Sequence, residues 1–130
     1  MLILSIRTDK PEAELGLFNN QDRLKYITWP AHKELSATVH TKIKELLSSI
    51  NKELKDIEGL VIYKGPGSFT GLRIVVTVAN TLAYALEIPI VGTLGEHWLK
   101  SGIERLLSQE NDEVILPFYG AEPHITKPKK

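Results

Sequence analysis

Ten consecutive residues, Lys64-Gly65-Pro66-Gly67-Ser68-Phe69-Thr70-Gly71-Leu72-Arg73, constrain this chain more than any other stretch. Three glycines and a proline fall within seven of them. Glycine reaches backbone angles closed to other residues, and Pro66 fixes one φ. The apolar run Leu60-Val61-Ile62-Tyr63 precedes the stretch, and a long helix-like run begins near Gly71. Strand, tight turn and helix are therefore expected in that order. Ser68 or Thr70 can cap the helix by accepting a bond from its free N–H groups. A glycine-rich turn at a helix N-terminus is also a place where an anion can sit. The generic phosphate loops are nonetheless missed. Gly71 is followed by Leu72 and Arg73 rather than Lys and Ser or Thr, and it lies one residue too far from Gly67 for the dinucleotide fingerprint. A tight strand-to-helix connection accounts for the same residues.

The remaining elements follow from hydrophobic period. Leu2 to Ile6 reads as a buried strand. Ala13 to Phe18 alternates as a half-buried strand does, and Asn19-Asn20-Gln21-Asp22 is turn chemistry leading into a second hairpin strand, Arg23 to Trp29. His32 to Leu54 reads as one long amphipathic helix, with Leu35, Val39, Ile43, Leu46, Leu47, Ile50 and Leu54 on one side. A strand over Gly59–Tyr63, a helix over Leu72–Leu86, a strand over Ile88–Thr93, a helix over Leu94–Ser108 and a last strand over Val114–Phe118 complete the order. Three consecutive strands followed by alternating helices and strands predict an α/β protein. Its sheet is mixed, with helices on its faces.

One domain is expected over residues 1–120, with a basic, mobile tail over 121–130. Sixteen basic residues balance sixteen acidic ones, so no global field favours nucleic acid. Without cysteine there is no disulfide framework, no thiolate chemistry and no cysteine-ligated zinc. No signal-peptide pattern and no run of about 20 apolar residues is present, which makes the cytoplasm the expected compartment. His32, His40, His97 and His124 lack ligand spacing, no metal or cofactor is expected, and Trp29 and Trp98 read as packing residues.

The Leu72–Leu86 helix carries a functional signal. Leu72, Val75, Val76, Ala79, Leu82, Ala83 and Leu86 form one apolar stripe, sufficient to pack on a sheet. The opposite face, Ile74, Thr77, Val78, Thr81, Tyr84 and Ala85, bears no charge. A helix neutral on both faces is expected to be covered on both. Thr77, Thr81 and Ala85 recur every four residues, a small-residue spine that lets a foreign helix approach closely. The 32–54 helix can cover this face instead, but a partner interface is the expectation.

Taken as a whole string, Gly65-Pro66-Gly67-Ser68-Phe69-Thr70-Gly71-Leu72-Arg73 resembles the signature of the bacterial TsaB family. Leu2-Ile3-Leu4-Ser5-Ile6-Arg7-Thr8 is similar to that family's opening strand, His32-Lys33-Glu34 to its helix start, and Ile88-Pro89-Ile90-Val91-Gly92 to a later strand. The resemblance implies one lobe of the ribonuclease-H-like, actin-type ATPase fold. It implies a non-catalytic scaffold subunit in synthesis of threonylcarbamoyladenosine on tRNA. The implied partners are a catalytic, TsaD-like threonylcarbamoyl transferase and a small, TsaE-like ATPase, with a homodimer in isolation and indirect or unknown contact with tRNA. Members usually carry a second lobe, so the chain is read as an abbreviated natural form. Arg7 stands where actin-type ATPases hold a Mg²⁺-binding aspartate, and an arginine cannot ligate Mg²⁺. Asp9, beside Lys10, is expected to be solvated. Two readings of other classes stay open: a reduced ATP-binding phosphotransferase using the glycine loop, and a homodimeric interaction module.

Overall fold

Alternation in the N-terminal third builds an antiparallel meander. In the computed structural model, which describes residues 1–30, 35–67 and 69–118 and gives the backbone alone for Leu35, Ser36 and Phe69, three strands form it. They are β1 (Leu2–Arg7), β2 (Glu12–Asn19) and β3 (Asp22–Pro30). Helix α1 (Leu35–Ser48) leads to a short 3-10 turn, Leu54–Asp56, and then to β4 (Gly59–Gly65). Helix α2 (Phe69–Leu86), β5 (Ile90–Leu94) and α3 (Trp98–Leu107) complete the described elements. The sheet order is β3-β2-β1-β4-β5, with β1 and β2 antiparallel and β1, β4 and β5 mutually parallel. This is the mixed sheet that the element order predicts.

Two apolar layers flank the sheet. Leu4, Leu15, Leu17, Leu60 and Ile62 pack beneath Val39, Ile43 and Leu47 of α1 and Val75, Ala79 and Leu82 of α2. On the other face Ile3, Val61, Tyr63 and Val91 pack beneath Trp98, Ile103 and Leu106 of α3, and Leu72 joins this cluster. Trp29 and Trp98 are both buried, as packing residues should be. No described helix is long and apolar enough to cross a membrane.

Three differences from the sequence reading bear on the site. The first long helix ends at Ser48 rather than Leu54, because Asn51 takes a left-handed φ of 59° and Lys52 N donates back to Leu47 O. That is a Schellman cap. The expected start of this helix at His32-Lys33-Glu34 lies outside the described residues, as does the 121–130 tail. The last helix begins at Trp98, since Leu94 belongs to β5 and Gly95 turns the chain.

The third difference is a correction: Val114–Phe118 is not a strand. Residues 110–118 form an irregular strap along the outer edge of β5, whose backbone groups are met largely by side chains. Asn111 Oδ1 accepts from Ile90 N at 3.0 Å, Asp112 Oδ2 accepts from Gly92 N at 2.9 Å, and Arg105 Nη1 donates to Gly92 O at 3.1 Å. Arg105 also binds Asp112 and Glu110, so its pKa lies above the usual value. Burial would raise the Asp112 carboxyl, but the bonds from Arg105 and the Gly92 amide outweigh it and leave the pKa lowered. A regular ladder is thereby replaced, and only Ile115 of the run turns inward to the core.

Asn80 of α2 ties this strap down, accepting from Ile115 N at 2.8 Å and donating to Ile115 O at 3.0 Å. Asn80→Ala is expected to cost about 1–3 kcal/mol, since it strands both backbone groups of a buried residue. Asn80→Asp should fare no better at neutral pH, because its carboxylate opposes Ile115 O. Urea unfolding of the two variants measures both effects.

Candidate functional site

Gly65, Pro66, Gly67 and Gly71 of the glycine loop are each held by close contacts. β4 closes on Gly65, at φ 141°, against which the backbone of Phe118 lies; a Cβ there would meet Phe118 O at 1.8 Å. The Gly65–Pro66 peptide is cis, and Tyr63 Oη donates to Pro66 O at 2.6 Å. Gly67 does not use a left-handed φ; what it needs is space. A Cβ on it would lie 2.4 Å from Asp9 Cβ, and one on Gly71 would lie 2.0 Å from Thr8 O. Thr8 Oγ1 donates to Gly71 O at 2.7 Å. Thr70 is inside α2 and so is not its N-cap, and the capping role expected of Ser68 lies outside the described residues. Arg73 is exposed on the first turns of the helix.

Beside the loop sits a charged cluster. Asp9 is not solvated: its side chain is 6% exposed and accepts from Arg7 Nε at 2.7 Å. The Arg7 guanidinium lies 3.8 Å from the centre of the Tyr63 ring. Burial alone would lower the Arg7 pKa, but the bond and charge of Asp9 reverse this and leave it raised. Lys10 turns instead to Glu14 at 2.6 Å, and Tyr26 Oη donates to Glu14 at 2.5 Å. Burial pulls the Glu14 carboxyl up, yet the bonds from Lys10 and Tyr26 leave its pKa lowered. Burial and the neighbouring Glu14 raise the Tyr26 phenol.

These residues do not fit a Mg²⁺–nucleotide site. A cation faces the position where a metal-binding carboxylate belongs, and the nearest carboxylate is committed to that cation. At the carboxyl end of β1 the Gly67 and Gly71 backbone packs directly against Asp9 and Thr8, which leaves no space for a side chain at either glycine.

The outer face of α2 is different. Val75, Val76, Ala79, Leu82 and Ala83 are buried as the stripe predicts, with Leu86 half-buried. On the opposite side Thr77, Thr81 and Ala85 are exposed, and Tyr84 is 88% exposed. Ile74 is half-buried. Val78 is a correction to the expected face: it is buried within the cluster that α1 and α2 share. Helix α1 therefore shelters one flank and leaves the small-residue spine open. Beyond it lies an apolar patch the sequence reading missed, since Val114 and Leu116 of the strap are 63% and 74% exposed. Its signal was an apolar run too irregular to alternate.

Comparison with known proteins gives the lineage. The family described as "TsaD: tRNA N6-adenosine threonylcarbamoyltransferase" matches residues 30–105. The TsaB protein of Escherichia coli K12 is 34% identical over 119 residues, covering 83% of this chain and 49% of that protein. The TsaB protein of Bacillus subtilis 168 is 37% identical over 91 residues, covering 69% and 39%. Among solved structures, YeaZ from Pseudomonas aeruginosa superposes with a TM-score of 0.63 at 24% identity, over 72% of this chain and 43% of that one. That likeness places the fold in the ribonuclease-H-like, actin-type class. The chain spans about half the length, or less, of these curated relatives. By its matched residues the chain belongs to the TsaD family and, within it, to the TsaB proteins.

Proposed function

We propose that this chain is a non-catalytic scaffold in threonylcarbamoyladenosine synthesis on tRNA, docking the outer face of α2 on the threonylcarbamoyl transferase. The open, uncharged spine Thr77, Thr81 and Ala85, with Ile74 and Tyr84 beside it, is the observation that carries this reading. Such a surface suits close helix packing better than it suits a substrate. The relatives named for this biosynthesis supply the pathway, and the transferase family supplies the class of partner. In this reading a small ATPase joins the assembly, a homodimer forms when the transferase is absent, and the compartment is cytoplasmic. The paired Arg7–Asp9 cluster supports a role without independent nucleotide chemistry.

Thr81→Arg tests the docking face directly. Thr81 is exposed, so the change should alter stability by no more than about ±0.5 kcal/mol. An unpaired charge buried between helices should weaken association with the transferase about a hundredfold or more. Sedimentation with the transferase reads this, and normal assembly by the folded variant would reject the face. Gly67→Val separates a structural loop from a chemical one. Its side chain must displace Asp9, for an expected loss of about 1–3 kcal/mol, with partner binding falling in step. A variant that folds and assembles normally yet loses tRNA modification would instead assign the loop a chemical step. Calorimetry with Mg²⁺–ATP should give no micromolar binding by the isolated chain, and saturable Mg²⁺-dependent heat would favour the phosphotransferase reading.

A further inference from the structure

All three α-helices among the described residues end on a left-handed residue. Asn51 (φ 59°), Glu87 (φ 56°) and Gln109 (φ 68°) each follow a last turn. The next amide bonds back into the helix each time: Lys52 N to Leu47 O, Ile88 N to Ala83 O and Glu110 N to Arg105 O. Glycine suits such a cap best and asparagine next. Asn51 and Gln109 are at least uncharged. Glu87 sets a carboxylate against carbonyls that already form the negative end of α2, which the helix dipole disfavours. Neither backbone preference nor local electrostatics accounts for a glutamate there. A second left-handed glutamate, Glu113 (φ 69°), lines the same groove.

That groove, about 640 Å³, runs between the second half of α2 and the strap. Ala83, Ile88 and Val114 give it apolar walls, and the exposed ring of Tyr84 stands on its rim. Asn80 fixes the strap to α2, while Asn111 and Asp112 fix it to β5, so both walls are in place before a ligand arrives. Among the described residues that line it there is no lysine or arginine. Two glutamates, the carbonyl end of a helix and a tyrosine therefore line one largely apolar groove, with no cation among the described residues that line it. An arginine answers every one of these features. Its guanidinium donates to carboxylates as a fork and stacks on tyrosine, and its stem covers apolar surface.

We propose that this groove receives an arginine carried on an apolar segment of the protein partner that docks on α2. Tyr84 and Ala85 belong both to the groove and to the open face, so one partner can occupy the two together. The inference rests on the reading of α2 as the docking face. The test is calorimetric titration of the full chain with the transferase at low and high salt. Glu87 and Glu113 are exposed, so variants at both should fold with a thermal midpoint no lower than the wild type's, and slightly higher where a carboxylate leaves the carbonyl end of α2. The double variant Glu87→Lys/Glu113→Lys should bind about tenfold more weakly or worse, because like charges then face each other. Glu87→Gln/Glu113→Gln should lose less affinity and flatten the salt dependence. Wild-type binding by the charge-reversed chain overturns the inference; if Thr81→Arg fails to bind in the same assay, the docking face stands without it. Should both variants bind as wild type, or the wild-type chain fail to bind, both readings fall. If charge reversal abolishes only self-association, the occupant is a second copy and the inference is likewise overturned.

Discussion

Gly67 and Gly71 bring the start of α2 into contact with the turn that follows β1, and much of the molecule depends on that approach. No side chain fits at either position without displacing Asp9 or the Thr8 carbonyl, and Thr8 Oγ1 bonds the Gly71 carbonyl across the contact. The helix is thereby set across the parallel β1–β4 pair at a fixed depth and rotation. Its apolar stripe meets the sheet, and its threonine–alanine spine points outward. One contact therefore settles which face of α2 meets the sheet and which face is left outward.

The outer edge of β5 is managed by different means. An edge strand offers unpaired N–H and C=O groups to any passing chain. Here Ile90 and Gly92 point theirs at Asn111, Asp112 and Arg105, so the edge is satisfied without a further strand. Arg105 joins α3 to the strap while Asn80 joins α2 to it, and the strap spans the helices on the two faces of the sheet. The groove beside Tyr84 is a by-product of this bracing: a strand in register with β5 would have no reason to lean away toward α2.

Periodicity made the element order and the buried stripe of α2 readable, because both rest on repeats set by burial itself. Ala13, Leu15 and Leu17 alternate as the β2 face requires, and Val75, Ala79 and Leu82 recur at the helical spacing. The strap was not readable in this way. Val114 to Phe118 has the length and apolarity of a strand, but what satisfies the β5 edge is a set of side chains that leave no periodic mark. Helix α1 seemed longer for a related reason: past its last residue, Ser48, Ile50 and Leu54 still pack against the core, so the apolar spacing outlives the helix. Asp9 illustrates a limit of reading in one dimension. Lys10 is its neighbour in sequence, yet Lys10 pairs with Glu14 and leaves Asp9 to Arg7. For Gly67, the residue type signalled a constraint without revealing whether angle or space imposed it.

If the outer face of α2 is the docking face proposed above, it must be tolerable in water and still worth burying. Threonine and alanine meet both demands. Their hydroxyls and small surfaces hydrate without forming a large greasy patch, and they have little rotamer freedom to lose on docking. A threonine hydroxyl can bond a carbonyl one turn back in its own helix, so covering it need not strand a polar atom. Small side chains also let helix axes come within about 8–10 Å. What such a spine lacks is area, and Tyr84 supplies it, with a large ring that is 88% exposed in the free chain. Aromatic anchors of this kind carry a disproportionate share of binding energy when they enter a partner's pocket. On that proposal the division of labour is physical: the spine sets how near a partner helix can come, and Tyr84, at the lip of the acidic groove, sets how much is gained when it arrives.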